Sequence, residues 1–286
     1  LQGLNALQYN DIMDISNSIG IVYTLQDKLY RERIVRRTVQ RALEVVNPDD
    51  IVEALESALR GPLSGKKVLV SAGGTREALD PVRFLTNRSS GKMGFALAAA
   101  CRAAGAQVEL VAGPVAQPTP RGVSRTDVET AAEMMAAVDQ RVSSADIFVA
   151  TAAVADYRPA QCADDKIKKA AEQVDLPLTR TPDILATVSQ RETHLFTVGF
   201  AAETSELERH AREKMQRKNL DMICANLVGE GRGFDTDDNA LTVFWPGGQL
   251  DLGTRSKAEL AAELVALIAE RFAAGAGDAQ AMVGDR

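Results

Sequence analysis

Five short apolar runs, separated by segments of helical spacing, constrain this chain more than any other feature. KVLV (67–70), QVELVAG (107–113), the middle of ADIFVATAAVAD (145–156), HLFTVGFAAET (194–204) and DMICAN (221–226) are largely continuous in hydrophobicity rather than alternating. A strand that is apolar on both faces belongs inside a parallel sheet covered by helices on both sides. Helical segments fall between these runs: FALAAACRAAG (95–105) closed by Gly105, TAAEMMAAVDQRV (130–142), a short helix opening at Pro182 with Thr181 as its cap, and SELERHAREKMQRKNL (205–220). A further short strand is expected at 122–126. ALTVFW-PGG-QLDL reads as a hairpin, and SKAELAAELVALIAERF (256–272) as a closing helix capped by Ser256. The expectation is an α/β fold, a Rossmann-like, doubly wound, mostly parallel sheet with a C-terminal β-hairpin. In such sheets ligands bind beyond the carboxyl ends of the strands.

Composition sets the surroundings. Residues 1–64 read as a helical extension and linker, 65–273 as the main domain, and the Gly/Ala-rich 274–286 as a flexible tail. The net charge of −6 argues against nucleic acid or an acidic membrane as the partner. No apolar run approaches the roughly 20 residues of a membrane span. Cys101, Cys162 and Cys224 are far apart and odd in number, which fits a reducing, cytoplasmic setting without disulfides. His194 and His210 have no partner at metal-ligand spacing.

The chemistry concentrates after the first strand, in SAGGTREALDPVRFLTNRSSGKMG (71–94). Glycines let backbone approach a ligand, and the N–H groups at a helix start favour an anion. The dinucleotide fingerprint GxGxxG is absent, because Gly73-Gly74 lacks the spacing. A Walker loop ending at Gly91-Lys92 fails as well, since Thr86 and Met93 stand where glycine and Ser/Thr are needed. Ser89 or Ser90 is the expected cap of the following helix. Topology brings Asn87, Asp156, Lys166, Lys168, Lys169, Lys214 and Lys218 toward one rim, with Lys214 and Lys218 on one helix face. Cations and N–H donors suit a polyphosphate with Mg²⁺. Residues 157–180 form a polar, lysine-rich excursion of the kind that makes lids. Nothing offers a Ser/His/Asp set, zinc spacing or a carboxylate pair. What remains is catalysis by positioning and charge neutralisation.

In order and spacing, SAGGTREALDPVRFLTNRSSGKMGFALA, ATAAVADYR, KIKK, TPDIL, VGFAAET, KNLDMICAN and DDNALTVFW resemble bacterial phosphopantothenoylcysteine synthetase, from about Gly65 to Phe272. This family is the ligase half of a bifunctional coenzyme A biosynthesis protein. The resemblance implies that the carboxylate of 4′-phosphopantothenate attacks the α-phosphate of CTP, and that the amine of L-cysteine then attacks the acyl-cytidylate. It implies Mg²⁺, with Asp156 as the candidate metal ligand, and a homodimer that completes its sites from both subunits. Asn87 would act in the cysteine step, Lys166 would lie on a lid, and Arg83 would affect activity. Nucleotide contacts would fall on Ala152, Ala153, Asp156, Lys166, Pro182, Asp183, Ile184, Phe200, Lys214 and Lys218, and phosphate contacts on the loop of Gly73, Ser89, Ser90 and Gly91.

One departure stands out. A flavin-dependent decarboxylase precedes this domain in most bacteria, yet residues 1–45 do not match it, so ligase activity alone is expected, without FMN or decarboxylation. Two other readings remain: a non-catalytic nucleotide-binding regulatory subunit, against which Asn87 and Lys166 argue, and an NAD(P)-dependent reductase, which lacks the fingerprint and a Tyr-x-x-x-Lys pair. Eukaryotic relatives use ATP, and the bacterial character of the motifs favours CTP.

Overall fold

The computed structural model describes residues 61–169, 172–203, 205–227 and 238–284. The extension expected over 1–60 and most of the Gly/Asp-rich loop at 227–239 lie outside the described residues.

Six parallel strands form the centre: β1 (Lys67–Ala72), β4 (Gln107–Ala112), β5 (Val123–Asp127), β6 (Ile147–Ala150), β9 (Phe196–Glu203) and β10 (Met222–Leu227). The hairpin of β11 (Asp238–Trp245) and β12 (Gly248–Ser256) adds two antiparallel strands at one edge. The spatial order is β12-β11-β10-β9-β6-β1-β4-β5. Its parallel part is the doubly wound dinucleotide-fold order, in which the chain runs outward from β1 to β5, returns, and continues from β6 on the other side of β1. The switch point, where a crevice opens, lies between β1 and β6. There Val68 pairs with Ile147 and Ser71 with Ala150.

Among the described residues five helices cover the two faces: α1 (Lys92–Ala103), α2 (Ala131–Val142), α3 (Ile184–Arg191), α4 (Leu207–Arg217) and α5 (Lys257–Gly284). The alternation of Cβ directions along β1 divides the core. Val68, Val70 and Ala72 pack with Leu97 and Cys101 of α1 and Leu264 and Ile268 of α5. Leu69 points the other way, into Met134 and Val138 of α2, Val188 of α3 and Met215 of α4. Both faces of β1 are therefore dry, which is what a continuous apolar run requires.

Local chemistry sets the helix ends. The Thr130 hydroxyl accepts from Glu133 N–H while the Glu133 carboxylate reaches back to the N–H of Thr130, a capping box on α2. Ser256 and Glu259 exchange the same pair of bonds at the start of α5, as the Ser256 cap led one to expect. Three starts or ends differ from expectation. α1 begins at Lys92 with Gly91 as its cap, and no side chain closes it. Gly91 has φ 72°, a conformation that disfavours serine, so neither Ser89 nor Ser90 takes the cap position. α3 is capped by the Asp183 carboxylate, which accepts from Ala186 N–H at 3.1 Å, while the Thr181 hydroxyl bonds the Ala155 carbonyl. α5 continues past Phe272 to Gly284.

Two small ribbons were not foreseen. β2 (Arg76–Ala78) pairs antiparallel with β3 (Phe84–Thr86), and β7 (Tyr157–Pro159) with β8 (Leu178–Arg180). The second ribbon gathers the ends of the 157–180 excursion, and β2 packs against β7. Strands of three residues carry too little periodicity to be read from sequence.

Candidate active site

A cleft of about 970 Å³ opens over the switch point. Its floor is backbone. Gly74 forms a parallel bridge with Ala153, and the N–H of Ala153 donates to the Gly73 carbonyl at 2.8 Å. The loop after β1 and the loop after β6 are thus stitched together where the sheet reverses. The Thr151 hydroxyl donates to the Ser71 carbonyl at 2.6 Å and continues the seam downward.

The start of α1 forms one wall. Ser89, Ser90, Gly91, Lys92, Met93 and Gly94 all line the cleft. Gly91 has no side chain to cap α1, and the first turn of the helix, its positive dipole end, lies along the cleft. The helix can lie this deep because of Gly94. A Cβ there would stand 2.4 Å from Thr151 Oγ1 and 2.5 Å from Ala72 Cβ, so only glycine lets α1 approach the strands so closely.

Lys214 and Lys218 of α4 line the cleft as well. Lys214 Nζ donates to the Phe200 carbonyl at 2.7 Å, and Lys218 Nζ pairs with Asp183 Oδ1 at 2.7 Å. Burial lowers the pKa of Lys214, and the neighbouring Lys218 charge lowers it further. Burial raises the pKa of Asp183, but the Lys218 hydrogen bond, the Ala186 N–H and the two lysine charges outweigh it and leave the carboxyl below its ordinary value. Asn87 stands at the edge, its Nδ2 donating to the Val154 carbonyl at 2.9 Å.

The cleft therefore gathers Asn87, Ser89, Ser90, Gly91, Ala152, Ala153, Asp156, Pro182, Asp183, Ile184, Phe200, Lys214 and Lys218. Five expected residues stand outside its lining. Gly73 lies beneath it and contributes its carbonyl to the floor. Lys166, Lys168 and Lys169 are exposed on the 157–180 excursion. Arg83 gives its guanidinium to Asp80 Oδ2, at 2.6 Å from Nη2 and 3.0 Å from Nε, and to the Ile167 carbonyl at 2.7 Å. Conversely, Asn226, Asn239 and Lys257 line the cleft without having been singled out. Asn226 ends DMICAN, so the strand-end rule marks it. Lys257 directly follows a helix cap, where a lysine looks like surface, yet it is 6% exposed. Among the described residues no group of three or more His, Cys, Asp or Glu is placed to hold a metal ion.

The comparison with known proteins decides the family. Residues 63–272 match the model of the DNA/pantothenate metabolism flavoprotein C-terminal domain. The chain belongs to that family. The chain is 54% identical over 214 residues to the coenzyme A biosynthesis bifunctional protein CoaBC of Vibrio cholerae, covering 73% of this chain and 54% of the relative. It is 50% identical over 210 residues to CoaBC of Escherichia coli, covering 72% and 52% respectively. The chain thus spans about half the length of the curated relatives it matches. Among solved structures, the C-terminal domain of a CoaBC superposes with a TM-score of 0.64 at 40% identity, covering 73% of this chain and 97% of that one. A Cab2 mutant in complex with phosphopantothenate-cysteine has a TM-score of 0.63 over 78% of this chain and 91% of its own, and at 18% identity it shares the fold.

Proposed function

We propose that this chain is a phosphopantothenate–cysteine ligase acting in coenzyme A biosynthesis, with CTP as the activating nucleotide. The observation that supports the reading is that a helix start and two lysines line one cleft. The uncapped start of α1 faces a space also lined by two lysines of α4, at the switch point of a sheet whose relatives are CoaBC proteins. In this reading the nucleotide phosphates take the N–H groups of α1 and the ammonium groups of Lys214 and Lys218. Lys218 would exchange Asp183 for phosphate oxygen. The carboxylate of 4′-phosphopantothenate attacks the α-phosphorus and pyrophosphate leaves. The amine of L-cysteine then attacks the acyl carbon, and CMP leaves. Asn87 holds the acyl group by hydrogen bonding, a task suited to an amide that does not titrate.

The donor set fits a magnesium ion that arrives with the phosphates. Asp156 is an exposed carboxylate on the cleft, whereas Asp183 is engaged with Lys218. One protein carboxylate plus phosphate oxygens is a usual set for this cation, with Asp156 as the protein's share. When bound, the ion neutralises phosphate charge.

We extend the reading to a cytoplasmic homodimer. Val82, Phe84, Tyr157, Val174, Leu176 and Leu178 are large apolar side chains left exposed on and around the two small ribbons. Apolar side chains concentrated in one region mark an association surface. No helix among the described residues is long and apolar enough to cross a membrane.

The test is pyrophosphate release with 4′-phosphopantothenate, cysteine and Mg²⁺, comparing CTP with ATP. Release with CTP alone is expected. Release with ATP instead changes the nucleotide and keeps the chemistry. Release with neither overturns the ligase reading.

A further inference from the structure

Asp80 lies outside the cleft, between β2 and β3, and the nucleotide chemistry makes no use of it. Its residue is 2% exposed. Its two oxygens do different work. Oδ1 accepts from the backbone N–H groups of Val82 and Arg83, both at 2.8 Å, and so closes the DPVR turn. Oδ2 accepts from Arg83 Nε and Nη2, and from the backbone N–H of Ile167 at 3.1 Å. Arg83 Nη2 also donates to the Ile167 carbonyl at 2.7 Å. Between them the carboxylate and the guanidinium hold both polar groups of one distant residue. A further bond, from Ala163 N–H to the Leu79 carbonyl at 3.0 Å, ties the same segment to the same turn. The Arg83 guanidinium holds the Asp80 carboxyl well below the usual carboxylate range, so the grip keeps its charge throughout the neutral range.

Ile167 is half-buried, whereas Lys166, Lys168 and Lys169 on either side of it are exposed. The polar excursion is thus tied to the turn at Ala163 and Ile167, and its lysines flank the second tie.

We propose that Asp80 is a positioning residue: through Oδ2, and with Arg83, it fixes Ile167 and thereby presents Lys166 to the nucleotide phosphates. The proposal rests on the reading of Lys166 as a nucleotide-binding lysine of the ligase. A segment held in place before the nucleotide arrives has less freedom to lose on binding, so the grip acts on affinity. It also gives Arg83 a task within its own chain, since its guanidinium is engaged on Asp80 and Ile167.

The two-oxygen arrangement provides a selective test. In Asp80→Asn, Oδ1 can still accept from Val82 and Arg83, so the turn persists. The amide nitrogen then stands where Oδ2 did, facing the Arg83 guanidinium and the Ile167 N–H, all of them donors. The reporter is a fluorophore on Cys162, which is exposed on this segment while Cys101 and Cys224 are buried. In the full chain, Asp80→Asn is expected to lower the anisotropy of the label with no ligand present. It is also expected to raise KM for CTP about tenfold, the usual scale of a lost charge-assisted bond, with a much smaller change in kcat. Arg83→Met should reproduce both changes, and it decides the matter should Asp80→Asn fail to fold. Lys166→Ala should raise KM without moving the anisotropy, and Asp80→Asn should add little to it. An anisotropy that stays at the wild-type value in Asp80→Asn and Arg83→Met overturns the anchor, whatever turnover does. A lower kcat at unchanged KM also overturns the proposal, by leaving Asp80 a structural role alone. A mobile label in the variants of a chain whose wild type releases no pyrophosphate overturns instead the ligase reading, and with it the task given to Lys166.

Discussion

Asn87 and Lys214 show how single side chains are prepared before any ligand is present. The Asn87 amide is held by the Val154 carbonyl. Asn87→Asp would set a carboxylate against that carbonyl and against the arriving phosphates. Acyl-cytidylate formation, read as single-turnover pyrophosphate release without cysteine, is expected to persist. Cysteine transfer should fall by about 10²-fold, the scale of a lost transition-state donor. Unchanged overall turnover would remove Asn87 from the cysteine step. Lys214 must be protonated to neutralise phosphate, and burial lowers its pKa from the ordinary 10.5. Affinity for CTP is therefore expected to fall as pH rises through the lowered pKa of Lys214, earlier than for an exposed lysine. A Lys214→Arg chain should lose that alkaline limb, since guanidinium does not titrate there. An identical limb in both proteins would assign the titration elsewhere. At this scale the sequence was legible where a side chain serves the cleft directly from a strand end or a helix face. It was less so for Asp80, which serves through Arg83, and for Lys257, whose burial depends on how α5 meets the sheet.

Among the elements, α1 carries the most consequence, because its start is a wall of the site and its packing depends on Gly94. In Gly94→Ala the added methyl meets Thr151 and Ala72, and the helix must move outward. A loss of about 1–3 kcal/mol in urea denaturation is expected, together with a raised KM for CTP. A destabilised variant with unchanged KM would separate the packing of α1 from phosphate binding. The element pattern was largely readable, since KVLV, IFVA and MICA are each buried on both faces and so write themselves as unbroken apolar runs. The loop of residues 71–94 was readable as part of the cleft although no standard fingerprint fits, because its glycines follow a strand end and precede a helix. β2, β3, β7 and β8 were not readable. Three residues span less than two periods of a strand, and contacts between distant segments select them. The cap of α1 was misplaced because serine propensity yields to the positive φ that the turn at Gly91 demands.

At the scale of the whole molecule, the exposed apolar side chains on the two ribbons make association testable. A Val174→Asp/Leu176→Asp double variant is expected to run as a monomer in sedimentation while the wild type runs as a dimer, with the midpoint of unfolding little changed because both positions are exposed. A wild-type monomer at micromolar concentration would refute the dimer. The cleft has a further consequence. Its lining comes from positions within 71, 87–94, 148–157, 180–185, 200–202, 214–218, 226, 239 and 257, so the full set meets only after the chain has crossed the sheet from end to end. Contacts of such long sequence separation form slowly, after local helices and turns. A growing chain released before β10 would hold the glycine loop and yet lack Asn226, Asn239 and Lys257 from the lining. Recovery of CTP binding during refolding should therefore trail the recovery of helical signal, which makes the nucleotide a clock for the last stage of assembly.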